Sequence, residues 1–188
     1  KDEIYWGKPI TGFGDPNGKI LIVGLAPAAH GGTRTGRVFT GDKSSDFLYK
    51  CLFNAKISNQ STSNHINDGL KLKEAFITPA LKCVPPEDKP LKIELHNCSK
   101  FFNNELNILK NLKVVVALGK IAFDTCKIFY KEKFHIPNEF QFGHGKIYKL
   151  ENGVKLVGCY HPSPRNVNTG RINENQMAGL FKKILKII

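Results

Sequence analysis

The sequence lacks a long apolar run: no stretch approaches the length of apolar residues that a transmembrane helix needs. It also lacks, at its start, the charged segment followed by an apolar one that marks a secretory signal peptide. Both absences argue against a membrane protein and against secretion. We therefore predict a cytoplasmic protein without a membrane partner.

Cysteine is scarce and odd in number. The chain has 5 cysteines in 188 residues, without the spacing of a secreted disulfide-rich domain. Cys51, Cys126 and Cys159 lie within apolar patterns, so we expect buried and unreactive thiols there. Cys83 and Cys98 differ, because they have polar neighbours and flank a proline-rich loop.

Acidic residues are few relative to basic ones. Lys and Arg number 28 and Asp and Glu 16, which gives a formal net charge of +12 at pH 7. A surplus of this size suits a polyanionic partner such as nucleic acid. The length is enough for one domain with a real core, so we predict a single domain over residues 1–188.

The stretch from Gly24 to Asp42 is rich in glycine, yet it contains neither of the common phosphate-binding motifs, GxxxxGK[ST] and GxGxxG. It follows the apolar run 19–23, whose length and β-branched content predict a strand buried on both faces. Glycine permits close approach of the backbone to a ligand, and Arg34, Arg37 and Asp42 add charges that a simple connection does not need. We interpret the stretch as the wall of a pocket. The alternative is a strand-to-helix loop without chemistry.

Apolar strand patterns alternate with helical patterns along the chain. Strands are predicted at 19–23, 75–78, 114–118 and 155–160, and helices at 44–55, 93–109, 121–130 and 173–187. The Ser- and Asn-rich segment 56–68 is predicted to be a surface loop. The alternation predicts an α/β fold with a short, mostly parallel sheet and helices on both faces. In such sheets ligands bind beyond the carboxyl ends of the strands, where the 24–42 stretch and a polar loop starting at His161 both lie.

Two motifs are recognisable: GLAPAAHGGTRTGRVFTGD at 24–42 and HPSPRNVNTGR at 161–171. Together they closely resemble the signature motifs of the type-5 uracil-DNA glycosylases, iron–sulfur members of the uracil-DNA glycosylase superfamily found in bacteria and archaea. The likeness also takes in Tyr5-Trp6, residues 12–15, Lys82-Cys83, Pro85-Pro86, Cys98 and residues 117–119. It implies a three-layer α/β/α sandwich and an enzyme that flips uracil out of DNA, hydrolyses its N-glycosidic bond and leaves an abasic site.

The resemblance also implies roles for single residues. Asp42 looks like the acidic residue that activates or positions water, and His161 and Asn166 match the catalytic histidine and asparagine of the second motif. Phe39 resembles the aromatic residue that stacks on the flipped base. The other base-binding candidates are Gly24, Ala26, Pro27, Ala28, Pro79 and His144. The DNA-binding candidates are Arg34, Arg37, Ser163, Arg165 and Arg171. The implied partner is uracil-containing or otherwise deaminated DNA, single- or double-stranded, bound by a monomer.

A metal cofactor is implied by the same resemblance. Cys83 and Cys98 match the downstream pair of the four cysteines that hold a [4Fe–4S] cluster in the family. The upstream pair is expected shortly before Lys1, and because Met177 is the only methionine we expect the true N-terminus to be missing from the sequence. Zinc is the chemical alternative for four thiolates.

The site residues also suit this chemistry without any resemblance. A glycosidic bond breaks through an oxocarbenium-like sugar, and the departing pyrimidine carries negative charge. Asp42 can stabilise the cation and orient water, a neutral His161 can donate a hydrogen bond to the leaving base, and Phe39 can stack on it. The alternatives are an N-cap for Asp42, a loop-fixing residue for His161 and a core residue for Phe39. For His144 a loop-structuring role is equally open.

Two other functions remain open at this stage. A non-catalytic DNA-binding module would use the same basic face but would not need Asp42 or His161. A hydrolase or transferase of free nucleosides would not need the surplus of positive charge.

The proline at position 79 predicts that the protein accepts a broad range of bases for excision. Uracil-specific relatives carry, beyond the second strand, an asparagine that reads the base edge, and Pro79 stands in that place. Proline has neither a side-chain amide nor a backbone N–H, so it cannot make this reading, and a wrong base leaves no polar group unpaired. We therefore expect hypoxanthine or other deaminated bases to be accepted as well.

Overall fold

A computed structural model describes residues 4–132 and 134–188 of the chain. Its central strands run parallel: β2 (Ile20–Gly24), β3 (Ala75–Pro79), β4 (Val114–Leu118) and β6 (Lys155–Cys159). Short strands β1 (Phe13–Gly14) and β5 (Ile147–Lys149) pair antiparallel at the two edges, in the order β1-β3-β2-β4-β6-β5. The mostly parallel sheet is confirmed. The edge strands were not predicted, because two or three residues are too few to show a pattern.

The helices of the described residues are α1 (Gly32–Thr35), α2 (Lys43–Asn54), α3 (Lys92–Ile108), α4 (Lys120–Lys131), α5 (Pro164–Asn168) and α6 (Glu174–Leu185), with one turn of 3₁₀ helix at Pro86–Asp88. The four long ones begin and end within two residues of the predicted bounds. Their apolar spacing marks them, and reciprocal caps fix the starts of α2 and α6. Within these same ranges, no helix has the length and apolar character that crossing a bilayer requires.

The sheet separates two apolar layers because successive side chains of a strand point to opposite faces. Ile22 and Val116 face the layer that α2 and α6 cover, whereas Leu21 and Val115 face the layer of α3 and α4. Each of these four side chains is fully buried. This is the predicted three-layer α/β/α sandwich, which the structure confirms.

The cysteines divide as predicted. Cys51, Cys126 and Cys159 are buried, and burial raises the pKa of Cys51 and of Cys126 to about 12. Such thiols stay protonated and unreactive at neutral pH. Cys83 is exposed and Cys98 is half-buried, so these two remain accessible to a metal.

Segment 56–68 is more than the surface loop that its composition predicts. Ile57, Ser58 and Ser63 are buried, and Ser58 forms an isolated antiparallel bridge with Leu72. The two serine hydroxyls can be buried because each donates a hydrogen bond to a backbone carbonyl. Its far end packs against the 24–42 stretch, which brings it next to the candidate site.

Candidate active site

A small cleft of about 50 Å³ opens where β2 and β6 end. Its walls are residues 26–28 after β2, then Phe39, Asp42 and Ser44, and on the other side His161 after β6. Strand β4 lies between β2 and β6, so the carboxyl ends of all three share one edge of the sheet. The two polar motifs, far apart in sequence, therefore meet in one place. Ser44 is an addition that the motifs did not single out.

Asp42 begins helix α2. Its Oδ1 accepts a hydrogen bond from the backbone N–H of Ser45 at 2.9 Å, and its own backbone N–H donates to Ser45 Oγ at 3.0 Å. Its Oδ2 lies over Gly31, where a Cβ atom would come within 2.2 Å of that oxygen. Only glycine leaves this space. Asp42 is thus an N-cap, and it also places its carboxylate in the wall of the cleft.

Burial raises the pKa of Asp42, although hydrogen bonds from the backbone of Ser45 and Ser44 act in the opposite direction. The positive end of a helix by itself lowers the pKa of a carboxylate placed there. The net direction is the reverse, because loss of hydration outweighs the helix end. A raised pKa brings a carboxylate closer to the range in which it can accept a proton in catalysis.

Phe39 is held in an unusual backbone conformation. Its φ is +48°, in the left-handed region that a bulky residue rarely occupies. Its ring lies against Gly24, where a Cβ atom would come within 2.6 Å of a ring carbon. The ring centroid is 6.3 Å from that of His161. Gly24 therefore contributes by its lack of a side chain, which lets the aromatic ring sit at the end of β2.

His161 is kept neutral by its surroundings. Burial lowers its pKa to about 4, so the imidazole carries no charge at neutral pH. Asn166 donates from Nδ2 to the backbone carbonyl of His161 at 2.9 Å, and Ser163 caps α5 by accepting from the N–H of Asn166. Asn166 and Ser163, predicted to serve catalysis and DNA binding, thus hold the loop in shape.

His144 and Pro79 lie on different sides of the sheet, His144 beside the end of β6 and Pro79 at the end of β3. The Nδ1 of His144 accepts the backbone N–H of Tyr160 at 3.2 Å, and its ring packs on Tyr160. These contacts support a loop-structuring role for His144, and its base-binding role stays a prediction. Pro79 ends β3 in register with Gly24, and its carbonyl accepts the Nζ of Lys82 at 2.9 Å.

The prediction that Arg37 contacts DNA is wrong. Its side chain is 3% exposed and forms an ion pair with Asp68 at 2.7 Å. It also donates to Thr40 Oγ1 and to Ser63 Oγ. A guanidinium buried in this way cannot reach a phosphate. No sequence pattern marks this ion pair, because Asp68 lies 31 residues away in a segment without a recognisable pattern.

The other arginines differ in exposure. Arg34 is half-buried and donates to the carbonyls of His30 and Gly41, so it braces the glycine-rich loop. Arg165 and Arg171 are exposed beside the second motif. The guanidinium of Arg171 lies over the ring of Tyr160, 4.6 Å from its centroid. These two are the exposed ones among the four candidate arginines, and their contact with DNA stays a prediction.

Cys83 and Cys98 come together at the surface. Both line one depression between the loop after β3 and the first half of α3. Among residues 4–132 and 134–188, no three His, Cys, Asp or Glu side chains form a group that could hold a metal. The described residues therefore offer two thiol ligands at this place.

A family model described as Uracil DNA glycosylase superfamily matches residues 11–185. The chain belongs to this superfamily. Type-5 uracil-DNA glycosylases from Pyrobaculum aerophilum and Thermus thermophilus are each 41% identical to it, over 95% and 92% of this chain and 76% and 77% of their own. The type-5 enzyme of Mycobacterium tuberculosis is 39% identical over 99% of this chain and 69% of its own. These relatives confirm the type-5 resemblance.

A solved structure agrees on the fold. The solution NMR structure of a candidate uracil DNA glycosylase from Methanosarcina acetivorans aligns with a TM-score of 0.57, covering 94% of this chain and 97% of its own. At 13% identity it bears on the fold alone. In this member of the uracil DNA glycosylase superfamily, the cleft thus combines a partly buried carboxylate, a neutral imidazole and an aromatic ring at the carboxyl edge of the expected sheet.

Proposed function

We propose that this protein is a DNA repair glycosylase that takes uracil out of DNA, hydrolyses its N-glycosidic bond and leaves an abasic site. The observation that carries the proposal is the cleft in which Asp42, His161 and Phe39 meet. These three groups answer the three needs of the reaction: a surface for the base, a donor for its departing charge, and an anion near the sugar and the attacking water.

The base has to leave the stack before it can react, which costs a few kcal/mol. The ring of Phe39, fixed against Gly24, offers a face on which the extruded base can stack, worth about 1–3 kcal/mol. The exposed Arg165 and Arg171 are placed to hold the neighbouring phosphates. Phe39 and the two arginines therefore serve binding.

Bond cleavage places negative charge on the leaving base and positive charge on the sugar. A neutral His161 donates one N–H to the carbonyl oxygen of the base, and its burial strengthens this hydrogen bond by excluding water. Asp42 faces the sugar cation and accepts a proton from the attacking water while the oxygen of that water bonds to the sugar carbon. Asn166 acts through the His161 loop that it holds.

The function is tested by incubating the protein with uracil-containing and undamaged oligonucleotides and cleaving any abasic site with alkali. Strand cleavage confined to the uracil position is the expected result. A non-catalytic DNA-binding module would retain the oligonucleotides without cleavage. A hydrolase of free nucleosides would instead release uracil from uridine or deoxyuridine and leave the oligonucleotide intact.

Substrate choice is predicted to extend beyond uracil. At Pro79 there is no amide to read the base edge, and its carbonyl already accepts Lys82, so a wrong base is not excluded by an unpaired group. We expect hypoxanthine or other deaminated bases to be excised from a panel of oligonucleotides. Introducing the missing amide with Pro79→Asn should narrow the range toward uracil. Activity confined to uracil in the unchanged protein would contradict the prediction.

We further propose that Cys83 and Cys98 are two of four ligands of a [4Fe–4S] cluster, the other two lying upstream of Lys1. The fit rests on two thiols that share one surface depression while the other three are buried. Lys82 supports it, because its buried ammonium pairs with Glu105 of α3 at 2.6 Å and so fastens the Cys83 loop to the helix of Cys98. A cluster here would tie chain segments together, a structural role remote from the reacting atoms.

Metal analysis of anaerobically purified full-length protein is expected to find about four iron atoms per chain and no zinc. Cys83→Ser should lower the iron content, whereas Cys126→Ala, at a buried thiol, should not. Zinc in place of iron would favour the chemical alternative. A protein that contains neither iron nor zinc would contradict the proposal.

A monomeric state, a cytoplasmic location and the preference for single- or double-stranded DNA stay predictions.

A further inference from the structure

A buried ion pair lies beneath the loop that carries Phe39. Arg37 NH1 and NH2 donate to Asp68 Oδ1 and Oδ2 at 2.9 and 2.7 Å, a two-fold contact with side chains 3% and 7% exposed. The guanidinium also lies over the ring of Phe13, 4.9 Å from its centroid. A bidentate contact between a guanidinium and a carboxylate fixes the relative orientation of the two groups as well as the distance between them. Segment 63–68 is thereby fastened to the glycine-rich loop.

Two hydroxyl groups link this ion pair to the backbone of Phe39 through hydrogen bonds. Arg37 donates from Nε to Thr40 Oγ1 and from NH2 to Ser63 Oγ, and the two hydroxyls are 2.8 Å apart. Ser63 Oγ then donates to the carbonyl of Phe39 at 3.1 Å. The backbone N–H of Gly41 donates to the Ser63 carbonyl at 2.8 Å. We call Arg37, Thr40, Ser63 and Asp68 the loop clamp.

The loop clamp surrounds a strained residue. Phe39 has a φ of +48°, and a bulky side chain persists there only when its surroundings leave it no alternative. In an extended or right-handed conformation the ring would point elsewhere and leave Gly24. The hydrogen bonds on the Phe39 carbonyl and on the Gly41 N–H hold the two peptide groups that follow Phe39, which restricts the backbone on that side of the residue.

We propose that the loop clamp, through Ser63, is a positioning device for Phe39, holding its ring over Gly24 so that an extruded base can stack on it. This rests on the proposed function, in which Phe39 stacks on that base. The observations favour positioning over general support of the fold, because the hydrogen bonds of Ser63 and Thr40 converge on residues 38–41 of the cleft wall.

Ser63→Ala is the sharpest test, because it removes one hydroxyl and no charge. Ser58→Ala is its matched control: this buried serine lies in the same segment and donates to the Gln60 carbonyl, away from Phe39. We expect Ser63→Ala to lower the single-turnover excision rate about fivefold, the value of one lost hydrogen bond. In a Phe39→Leu background the same change should cost less than about twofold.

A second measurement does not depend on activity. With 4-fluorophenylalanine at position 39, the ¹⁹F resonance should be single and narrow in the otherwise unchanged protein and in Ser58→Ala. It should shift or broaden in Ser63→Ala. If the protein excises no uracil, the proposed function fails while this resonance still decides whether Ser63 positions the ring.

Several results would overturn the inference. One is an unchanged rate and resonance in Ser63→Ala. Another is an equal effect of Ser58→Ala, which would point to general destabilisation. A Ser63→Ala effect of the same size in the Phe39→Leu background would show that Ser63 acts on something other than Phe39. An unchanged excision rate in Phe39→Leu alone would show that the position of this ring does not matter for excision.

Discussion

Replacement of Asp42 by asparagine is expected to lower single-turnover excision of uracil by about 100-fold or more. Asparagine keeps the size of the side chain and caps a helix about as well as aspartate, so α2 should begin at the same residue. What is lost is the negative charge near the sugar cation and the group that accepts the proton of water. Rates are measured with protein in excess over a uracil-containing oligonucleotide.

Affinity separates this prediction from a loss of DNA binding. Asp42→Asn should bind uracil-containing DNA as well as before or more tightly, because an anion near the phosphates is removed. Arg165→Ala is the contrasting variant, with weaker binding, a shallower salt dependence and a near-normal rate at saturation. A near-normal rate in Asp42→Asn would leave Asp42 as a cap alone and assign catalysis to His161 and the loop that Asn166 holds.

The pH dependence offers a further check on the same residue. Burial raises the pKa of Asp42, so as the pH falls its catalytic charge is lost at a higher pH than that of an ordinary aspartate. The rate of the unchanged protein should therefore decline on the acid side. In Asp42→Asn this part of the decline should be absent, since the amide does not titrate.

The pairing of Asp42 with His161 could be predicted because it follows from local pattern and one topological rule. Each residue comes after a buried apolar strand, and parallel strands end at the same edge of a sheet. The strands and long helices were predictable for the same reason, since their apolar spacing is strong and their ends carry caps. The short edge strands β1 and β5 had no such spacing.

What could not be predicted depends on contacts between distant parts of the chain. Arg37 stands in a glycine-rich motif among other basic residues, where exposure is the usual expectation. Its burial depends on Asp68, and nothing local in segment 56–68 marks that residue as a partner. The raised pKa of Asp42 could not be predicted for a similar reason, because a helix end is visible in sequence whereas the degree of burial is not.

His161 should be as important to the rate as Asp42. Replacement by leucine removes the hydrogen-bond donor to the leaving base, and loss of such a donor typically costs about 10²–10³-fold in rate. Glutamine offers a neutral N–H at a similar reach, so His161→Gln should recover part of the loss. Equal rates in both variants would show that hydrogen bonding by this side chain is not what accelerates the reaction.

The same variants should change how stability depends on pH. Burial lowers the pKa of His161 to about 4, against about 6.5 in an unfolded chain, so between these values the unfolded state binds a proton that the folded state does not. The neutral His161 therefore contributes on the order of 3 kcal/mol to the free energy of unfolding above pH 6.5, relative to low pH. This contribution is lost as the pH falls from 6.5 toward 4. Urea unfolding at several pH values measures it.

His161→Gln and His161→Leu should both flatten this part of the curve, because neither side chain titrates. Burial also lowers the pKa of His144, which adds a loss in the same direction, so the comparison is between each variant and the unchanged protein. His135→Gln, at an exposed histidine, is the control for the substitution itself. An unchanged slope in His161→Gln would mean that the imidazole is hydrated in solution. A hydrated imidazole would be a weaker hydrogen-bond donor to the departing base than a buried, neutral one.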